Sequence, residues 1–580
     1  MITIRKQLYA IALFFLLLLL TACNTTPAAK NTQPAAAEKT TKTPSAPSFS
    51  KEGGFYDDAF LLTLSSEPNT TIYYTTDGTN PCTSETSLPY TEEILIYNNT
   101  EEPNVYSAVK DISLYGYTPP KYNIDKGMNI RAVTKSADGT YSSVVSNSYF
   151  IGKTASYYSD IRVISMVTDA SYLFDPDTGA YMVGSGYYEW KKKNKHARYS
   201  AGDVENPTNY NADGRASEFP VNIQVFENGT AVYSADVGAR ISGNWSRANV
   251  QKSFRFYARN EYGDTKMRYS FIDDLLNSKG NVLKKYDKVT LRSGGNDSVL
   301  HFRDAFIHDL TADTGIDYMA SEPYILFLNG EFWGLYLLRE KPDSYYIQSH
   351  YGIDESNVSV LKNGNLESGS IRAMGAYVEF CRWASTADMT IEENYQKFCE
   401  QMDVQSFMDY IAIETYVGNS DWASGYFNNW MVWRSDTTDP NAPKADGKWR
   451  YILYDLDISC GLYGNNETSY HYDCLGNIGV KSQDYNLPNI LRNLCNNKEF
   501  LDAFYNNYLS IIDNCFAIEK VEALLNEYTV AYKEATVATH QRFGNHQAVF
   551  SYDREVKNLL NFFKKRPEYA KQYLDDFCGR

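Results

Sequence analysis

The sequence predicts a multidomain protein in which a small all-β domain precedes a large α+β domain. Three observations lead to this prediction. With 580 residues, the chain is too long to form a single hydrophobic core. Residues 49–152 alternate short β-branched and aromatic runs with turn signals. From residue 153 onward, strand patterns come first and helical patterns come last, which is typical of an α+β domain.

The N-terminus has the pattern of a secretory signal. Arg5 and Lys6 precede the apolar run Leu8–Leu20, which is too short to be read safely as a spanning helix. The run leads into Leu-Thr-Ala-Cys, which ends at Cys23 and resembles the bacterial lipobox. The resemblance implies cleavage before Cys23 and acylation of its thiol, so we expect a lipid anchor alone to hold the protein at the extracytoplasmic face of the cell membrane. An ordinary signal peptide with an incidental cysteine is the alternative for residues 1–23.

Residues 24–48 are predicted to form a disordered tether. They consist largely of Thr, Pro, Ala and Lys and contain almost no apolar side chain beyond alanine. Such a composition does not bury enough apolar surface to offset the loss of chain entropy on folding. We therefore expect the first folded domain to begin near Phe49.

Charge and cysteine content exclude several classes of protein. The chain has 55 Lys and Arg against 71 Asp and Glu, and its net charge of −16 argues against a nucleic-acid partner. Eight cysteines besides Cys23 are scattered without a Cys-x-x-Cys pair, which argues against structural zinc and thioredoxin-like chemistry. Export permits disulfides, but the spacing assigns none.

The domain predicted for residues 49–152 is all-β. Turn signals such as Asp77-Gly78 and Asp138-Gly139 separate its strand-like runs. The predicted strands are Phe60–Leu64, Thr71–Thr76, Asn129–Thr134 and Ser142–Phe150.

The run Thr71–Gly78, with its Tyr-Tyr-Thr-Thr-Asp-Gly signature, resembles the fibronectin-like module at the C-terminus of chitobiases. The later runs Ile130–Val133 and Ser142–Ser146 fit the same module. The resemblance implies an immunoglobulin-like sandwich that acts as a spacer or docking module. Contact with cell-wall material or polysaccharide through this sandwich remains open beside a purely structural role.

Residues 153–580 are predicted to form one large α+β domain. Its early strands are Val221–Phe226, Ala235–Ile241 and Ser253–Ala258. Two later segments have helical periodicity, and core packing explains both apolar faces. The first face holds Val404, Phe407, Met408 and Ile411, and the second holds Val556, Leu559, Leu560 and Phe563.

Several common catalytic motifs are missing from the sequence. It contains neither a Gly-x-Ser-x-Gly elbow nor His-Glu-x-x-His, so Ser-His hydrolases and zinc peptidases are poor fits. Gly152-Lys153-Thr154 lacks the first glycine of a P-loop. The run His301–Asp304 lies in an apparent helix, Leu300–Leu310, and we interpret it as structural.

The chemistry is predicted to lie between residues 418 and 457. A helix ends near Val417, and an acidic loop with Asp421 follows it. The amide pair Asn428-Asn429 then leads into one strand, and a second strand runs into Asp455-Leu456-Asp457. Phosphoryl transfer needs carboxylate and amide oxygens of this kind to place magnesium ions and to accept a hydroxyl proton.

Three blocks of sequence resemble the spore-coat protein H (CotH) kinase family, in the order expected of that family. They are Gly238–Arg247 together with Lys252–Phe256, then Leu328–Glu340, then Asp421–Asp457. The resemblance implies an atypical protein-kinase-like fold and transfer of the γ-phosphate of ATP, with Mg²⁺ or Mn²⁺, to Ser or Thr of an extracellular or spore-coat protein substrate.

The same resemblance assigns roles to individual residues. In the N-terminal part of the domain, Lys252 is expected to face the nucleotide phosphates, Glu340 to pair with it, and Arg240 to approach the same phosphates. Lys252 as an ordinary solvated strand residue is the alternative.

In the C-terminal part, Asp421 is expected to be the catalytic carboxylate. Asn428 or Asn429 is expected to ligate the metal, together with Asp455 and Asp457. A surface Asp pair capping a loop is the alternative for the last two.

Two other functions remain open at this point. Tyr454 stands where the family usually has tryptophan, and ATP is scarce outside the cell, so the chain fits a non-catalytic surface adhesion or carbohydrate-associated protein with a pseudokinase scaffold. A glycosyltransferase that uses Asp455-Leu456-Asp457 as a metal-diphosphate clamp is a third hypothesis.

Overall fold

The structure of the protein is a computed structural model that describes residues 43–153, 161–422, 428–479 and 486–580. The expected signal sequence with Cys23 and most of the expected tether lie outside the described residues. Pro44–Arg580 forms one compact unit, so the fold begins five residues before the expected Phe49. Within the described ranges, no helix combines the length and apolarity needed to cross a membrane.

The N-terminal module is a two-layered β-sandwich, as predicted. One layer has the strand order β2-β9-β8-β5-β6, and the pairs β1-β4 and β3-β7 face it across a small apolar core. The strands are β1 (Ser48–Phe49), β2 (Gly54–Tyr56), β3 (Phe60–Leu62), β4 (Leu64–Ser65), β5 (Thr70–Thr75), β6 (Leu88–Pro89), β7 (Ile94–Ile96), β8 (Met128–Ser136) and β9 (Val145–Ile151).

A closed ring of seven strands begins the large α+β part. The strand order is β11-β10-β15-β16-β14-β13-β12, and pairing between β11 and β12 closes the ring. We call this ring the barrel; a second apolar core fills it. Its strands are β10 (Arg162–Val167), β11 (Phe219–Glu227), β12 (Thr230–Ser242), β13 (Ser253–Tyr257), β14 (Lys288–Arg292), β15 (Ser321–Leu328) and β16 (Glu331–Arg339).

Two barrel hairpins turn at Asn-Gly. Asn228 and Gly229 connect β11 to β12 with φ of 47° and 75°, and Asn329 and Gly330 connect β15 to β16 with φ of 47° and 88°. Positive φ at both turn positions gives the twist that suits a two-residue hairpin, and Asn-Gly is the residue pair that adopts it most easily.

The C-terminal part, which we call the helical lobe, combines a small sheet with helices around the largest core. The sheet order is β18-β17-β19-β20, from the strands β17 (Val358–Lys362), β18 (Asn365–Ser368), β19 (Met431–Ser435) and β20 (Arg450–Ile452). The helices of the large part are α1 (Ser171–Phe174), α2 (Ser185–Lys193), α3 (Arg303–Leu310), α4 (Ser344–Tyr351), α5 (Ile371–Ala384), α6 (Glu392–Gln401), α7 (Val404–Val417), α8 (Asn486–Leu494), α9 (Lys498–Ser510), α10 (Ile518–Arg542) and α11 (His546–Cys578).

Helix α7 leads to the predicted site, and its ends are fixed by its sequence. The Asp403 side chain caps the N-terminus by accepting from the Ser406 N–H at 3.1 Å. Gly418 ends the helix in the left-handed conformation, with φ of 65°. The face predicted from periodicity is buried at Phe407 and Ile411. The chain therefore leaves α7 in a defined direction just before Asp421.

The sandwich and the barrel share backbone pairing. Strand β2 pairs with β9 of the sandwich and, at Gly54, with Thr230 of β12 in the barrel. Beside the β15–β16 turn, the Gly127 N–H donates to the Gly330 carbonyl at 2.8 Å. A side chain at Gly330 would collide with the Gly127 carbonyl, so only glycine permits this approach. The predicted spacer is therefore packed onto the barrel.

Glu331 of the barrel makes a buried, charged contact with the backbone of the sandwich module. Its carboxylate is buried and accepts from the backbone N–H groups of Val105 and Ser107, both at 2.6 Å. Charge-assisted hydrogen bonds of this kind are among the stronger polar contacts in proteins. Because all three partners lose water when the module packs, removing the carboxylate would leave two backbone donors unsatisfied.

We expect Glu331→Ala to lower the free energy of unfolding by about 3 kcal/mol, because two buried N–H groups lose their acceptor. Urea unfolding at equilibrium measures this change, and limited proteolysis shows whether the segment 97–127 becomes accessible. Glu379→Ala on the exposed face of α5 is the matched control. Equal stability of the two variants would contradict the proposed role of Glu331.

Candidate active site

The chain after β20 places two acidic residues at the edge of the helical lobe. Leu453 and Leu456 are buried, while Asp455 lies between them with φ of 55°. This left-handed conformation is uncommon for a residue other than glycine and marks a sharp turn of the chain. Asp457 is only 1% exposed, so its carboxylate needs partners within the protein.

Arg292, the last residue of β14, supplies that partner. Its Nη2 lies 2.6 Å from Asp455 Oδ1 and 2.5 Å from Asp457 Oδ2. Asn296 adds its backbone N–H, which donates to Asp457 Oδ2 at 2.8 Å. Gly295 lies between them with φ of 63°, and a Cβ there would overlap both Asp457 and Arg292. The barrel therefore holds the Asp pair through one arginine and one tight turn.

A second ion pair, between Asp304 and Arg339, contacts the loop that carries Asp455 and Asp457. Asp304, near the start of α3, pairs with Arg339 of β16 and accepts from the Leu456 N–H at 2.7 Å through its other oxygen. Burial alone would raise the pKa of Asp304, but the Arg339 and Arg292 guanidinium groups outweigh it and hold the pKa well below its usual range. The interpretation of the His301–Asp304 run as structural agrees with this positioning contact.

Asp421 lies in the loop after α7, close to the Asp pair. Asn429, with φ of 55°, donates from Nδ2 to Asp421 Oδ2 at 2.8 Å. Asn419 is fully buried, and its Oδ1 accepts from the Asp421 N–H at 3.1 Å. Asn428 accepts from Asn363 Nδ2 at 2.6 Å. Residues 423–427, within this loop, lie outside the described residues.

The electrostatics show that these carboxylates share one environment. Burial and the nearby Asp455 charge raise the pKa of Asp421 to about 6. Burial and Asp455 also raise the pKa of Asp457 to about 7, although Arg292 opposes the shift. A raised carboxyl pKa means that the ionised form is short of compensating positive charge. We call Asp421, Asp455 and Asp457 the carboxylate cluster; its negative charge is only partly compensated by Arg292.

The donor set fits magnesium or manganese. Both ions prefer oxygen ligands, and Mg²⁺ is often held by only one or two protein carboxylates, with water and phosphate completing its coordination. Within the part of the chain that the structure describes, no group of three or more His, Cys, Asp or Glu side chains is arranged to hold a metal ion. Among the described residues, the carboxylates of the cluster therefore do not by themselves form a complete set of metal ligands.

The predicted pair between Lys252 and Glu340 does not form. Lys252 is fully buried, and its Nζ donates to the backbone carbonyls of Arg247 at 2.6 Å and Asn249 at 2.9 Å. Burial away from any carboxylate lowers its pKa well below the usual value for lysine. Glu340 instead lies 3.0 Å from His350 Nε2.

Arg240 also lies outside the carboxylate cluster. Its guanidinium pairs with Glu218 at 2.8 Å and stacks on the ring of Tyr257. Burial would raise the pKa of Glu218, but Arg259, Arg215 and Arg240 hold it at about 2. The Arg240 side chain therefore contacts Glu218 and Tyr257, and not the carboxylate cluster.

Lys252 still influences the site through the backbone. It holds the single turn Trp245–Ala248, and Asn249 directly after this turn donates from Nδ2 to the Gly295 carbonyl at 3.3 Å. Gly295 precedes Asn296, which binds Asp457. Lys252 is therefore a positioning residue one turn away from the cluster, since no phosphate can reach an ammonium group enclosed in this way.

Tyr454 has a contact that the family's usual tryptophan lacks. Its hydroxyl accepts from Lys362 Nζ at 2.7 Å, whereas an indole ring has a donor but no acceptor. Burial would raise the pKa of Tyr454, but the Lys362 charge lowers it below its usual value. A cation thus lies directly beside the Asp455 loop.

Sequence reasoning missed Arg292, Asn296 and Lys362. The signal for the first two was present, because the strand ending at Arg292 runs straight into Ser-Gly-Gly-Asn. A charged residue at a strand end followed by two glycines indicates a tight loop at a functional edge. Nothing in the sequence indicated that this edge faces Asp457, 161 residues further along the chain.

Comparisons with known proteins agree with the two-part organisation. Residues 239–570 match the family described as CotH kinase protein, and residues 62–149 match the family described as Fn3 associated. No curated protein matches the chain. A solved structure, that of the Helicobacter pylori proinflammatory kinase CtkA, is 13% identical and covers 48% of this chain and 98% of its own, with a TM-score of 0.18.

We expect Arg292→Gln to destabilise the protein by about 3 kcal/mol, because it leaves the buried Asp457 and the partly exposed Asp455 without their positively charged partner. Urea unfolding measures the change. Millimolar Mg²⁺ should stabilise this variant more than it stabilises the wild type, since the added cation replaces the lost charge.

Arg434→Gln, which removes the half-exposed pair with Asp436, is the matched control and should cost less than about 1 kcal/mol. If Arg292→Gln proves no more costly than this control, the bridge does not hold the loop.

Proposed function

The chain belongs to the CotH kinase family, and from this premise we propose that it is an atypical protein kinase. It transfers the γ-phosphate of ATP to a Ser or Thr hydroxyl of an extracellular or spore-coat protein. The observation that carries the proposal is the convergence of Asp421, Asn429, Asp455 and Asp457 at one edge of the helical lobe, facing Arg292 of the barrel. Phosphoryl transfer needs little more from a protein than such positioning and charge stabilisation.

The carboxylate cluster suggests how the labour is divided. Asp455, with the side-chain oxygen of Asn428 or Asn429 and with Asp457 behind it, would hold Mg²⁺ or Mn²⁺, and the bound ion would neutralise phosphate charge. Arg292 and Asn296 fix Asp457 and orient the loop. Asn429 orients the Asp421 carboxylate, whose pKa of about 6 leaves it mostly ionised at pH 7.

Asp421 then serves as the base. The substrate hydroxyl gives its proton to the Asp421 carboxylate while the hydroxyl oxygen attacks the γ-phosphorus. The bond from that phosphorus to the bridging oxygen of ADP breaks, and ADP leaves with the electron pair. In these steps each protein group binds the metal or the phosphate, orients another group, or accepts the proton. The residues present at the site can fill these roles.

We also propose that the protein acts at the extracytoplasmic face of the membrane, attached by lipid at Cys23. The support is the Leu-Thr-Ala-Cys motif after the apolar run Leu8–Leu20. The packed sandwich would carry contacts to cell-wall material or polysaccharide, and the net charge of −16 disfavours nucleic acid.

One observation favours a second candidate, a catalytically silent surface adhesion or carbohydrate-associated protein. Lys252 is enclosed by backbone carbonyls, and Arg292 fills the space between Asp455 and Asp457. In a pseudokinase these contacts would be permanent. Retention on polysaccharide without any response to nucleotide would distinguish this candidate.

We expect saturating ATP with Mg²⁺ or Mn²⁺ to stabilise the protein by about 3 to 4 kcal/mol at 100 to 1,000 times the dissociation constant. The shift in melting temperature reports this gain. Asp455→Ala should abolish most of the shift, because the metal-bridged triphosphate loses a ligand. A wild-type protein that shows no shift would support the pseudokinase.

Phosphate incorporation from labelled ATP should fall at least about a hundredfold in Asp421→Asn, because the amide cannot accept the hydroxyl proton. Near-ultraviolet circular dichroism shows whether the variant remains folded. Asp439→Asn, in the exposed connection between β19 and β20, is the control and should retain full activity. Undiminished transfer by Asp421→Asn would reject the assigned base.

A further inference from the structure

A basic surface stands out on this acidic protein. Residues 191–198 read Lys-Lys-Lys-Asn-Lys-His-Ala-Arg, with five Lys and Arg and no Asp or Glu, in a chain whose net charge is −16. We call these residues the basic segment. It begins in the last turn of α2 and continues into the loop that follows.

The charges of the basic segment face solvent without acidic partners. Lys192, Lys193, Lys195 and Arg198 are exposed, and among the described residues no carboxylate forms an ion pair with any of them. Lys191 alone is engaged, through a hydrogen bond from Nζ to the Ala197 carbonyl at 3.2 Å. Lysines at the end of a helix stabilise its dipole, which accounts for residues 191–193 but not for Lys195 or Arg198.

In the part of the chain that the structure describes, helix α2 packs on the barrel core only through the half-buried ring of Tyr187. None of its nine residues is buried, although it carries Tyr187, Tyr188 and Trp190. The rings of Trp190 and Tyr199 stack at 5.8 Å across the basic segment, and Tyr199 is 46% exposed. Surface aromatic groups beside free cations are typical of a recognition surface, since they add contact area at low entropic cost.

The chain that follows the basic segment packs against a turn that contacts the loop beside Asp457. Gly202 lies four residues after Arg198. A Cβ at Gly202 would overlap the ring of Trp245, so these two segments of the chain are in close contact. Trp245 is 51% exposed and begins the turn that Lys252 holds, and Asn249 at the end of that turn contacts Gly295 beside Asp457. A series of contacts through Gly202, Trp245 and Asn249 thus connects the end of the basic segment to the loop beside Asp457.

We propose that the basic segment and Trp245 form the docking surface for an acidic stretch of the protein substrate. This inference rests on the proposed kinase function and adds the chemical class of its substrate. The rest of the surface, with its excess of Asp and Glu, repels acidic segments, so complementary charge directs them here and suppresses other orientations. A bilayer with anionic headgroups is negatively charged like an acidic peptide. A bilayer that contacted Trp245, however, would also cover the turn Trp245–Ala248, which leads to the loop beside Asp457.

Direct binding tests the surface independently of catalysis. The probe is a fluorescein-labelled peptide with one Ser among Glu residues, compared by anisotropy with a peptide that has Lys in place of Glu. We expect the full chain to bind the acidic peptide about tenfold more tightly, with the difference shrinking as salt screens the charges.

The combined substitution Lys192→Gln, Lys193→Gln, Lys195→Gln and Arg198→Gln should weaken binding of the acidic peptide about tenfold, because four exposed contacts are lost. In the transfer assay the same variant should raise KM and leave kcat unchanged. The matched control removes four exposed lysines elsewhere on the large part, Lys279, Lys284, Lys285 and Lys557, each changed to Gln.

Three outcomes would overturn the proposal: equal loss in both quadruple variants, equal binding of the two peptides, or binding to phosphatidylglycerol vesicles that exceeds binding to the acidic peptide. If the protein binds the acidic peptide selectively but transfers no phosphate, the kinase function is rejected and the docking surface stands. If it transfers phosphate without a preference for acidic peptides, the docking surface is rejected and the kinase function stands.

Discussion

The contact on which the site depends is the ion network that joins the barrel to the helical lobe. Arg292 of β14 holds Asp455 and Asp457, while Arg339 of β16 holds Asp304, which in turn fixes the Leu456 N–H. All of these groups are largely buried, where a missing partner costs several kcal/mol. Because two barrel strands supply the cations, the carboxylates keep their place only when barrel and helical lobe are packed together.

The same network leaves the site short of positive charge. Arg292 compensates part of the repulsion within the carboxylate cluster, yet the pKa values of Asp421 and Asp457 stay raised. A folded protein keeps such a destabilised arrangement where function requires it. A divalent cation shared with a phosphate ligand would balance the remaining negative charge. The protein without a bound cation would therefore be less stable than the protein with one.

The sandwich contacts the barrel directly and is not separated from it by a linker. Glu331 belongs to a block that resembles the CotH family, and it lies in the barrel, but its carboxylate binds the backbone of the sandwich. The turn Trp245–Ala248 contacts Gly202, which follows the basic segment, and it leads to Asn249, which donates to the Gly295 carbonyl. Both contacts lie at turns that connect barrel strands.

Local sequence determined the fold class, the order of the two parts and the family. Strand and helix periodicities survive in the structure because each reflects burial of one face, and Gly418 and Asp403 set the ends of α7 through capping alone. The loop after α7 and the strand before Asp455 were likewise predicted, since neighbouring residues carry that information.

Tertiary structure alone decided which charges meet. Lys252 and Glu340 were paired by resemblance, yet each has other partners because the backbone encloses the lysine before any carboxylate reaches it. Arg292, absent from the prediction, meets Asp457 across 165 positions of sequence. Charge pairing depends on distance and burial in space, and a linear sequence specifies neither until the barrel has closed against the helical lobe.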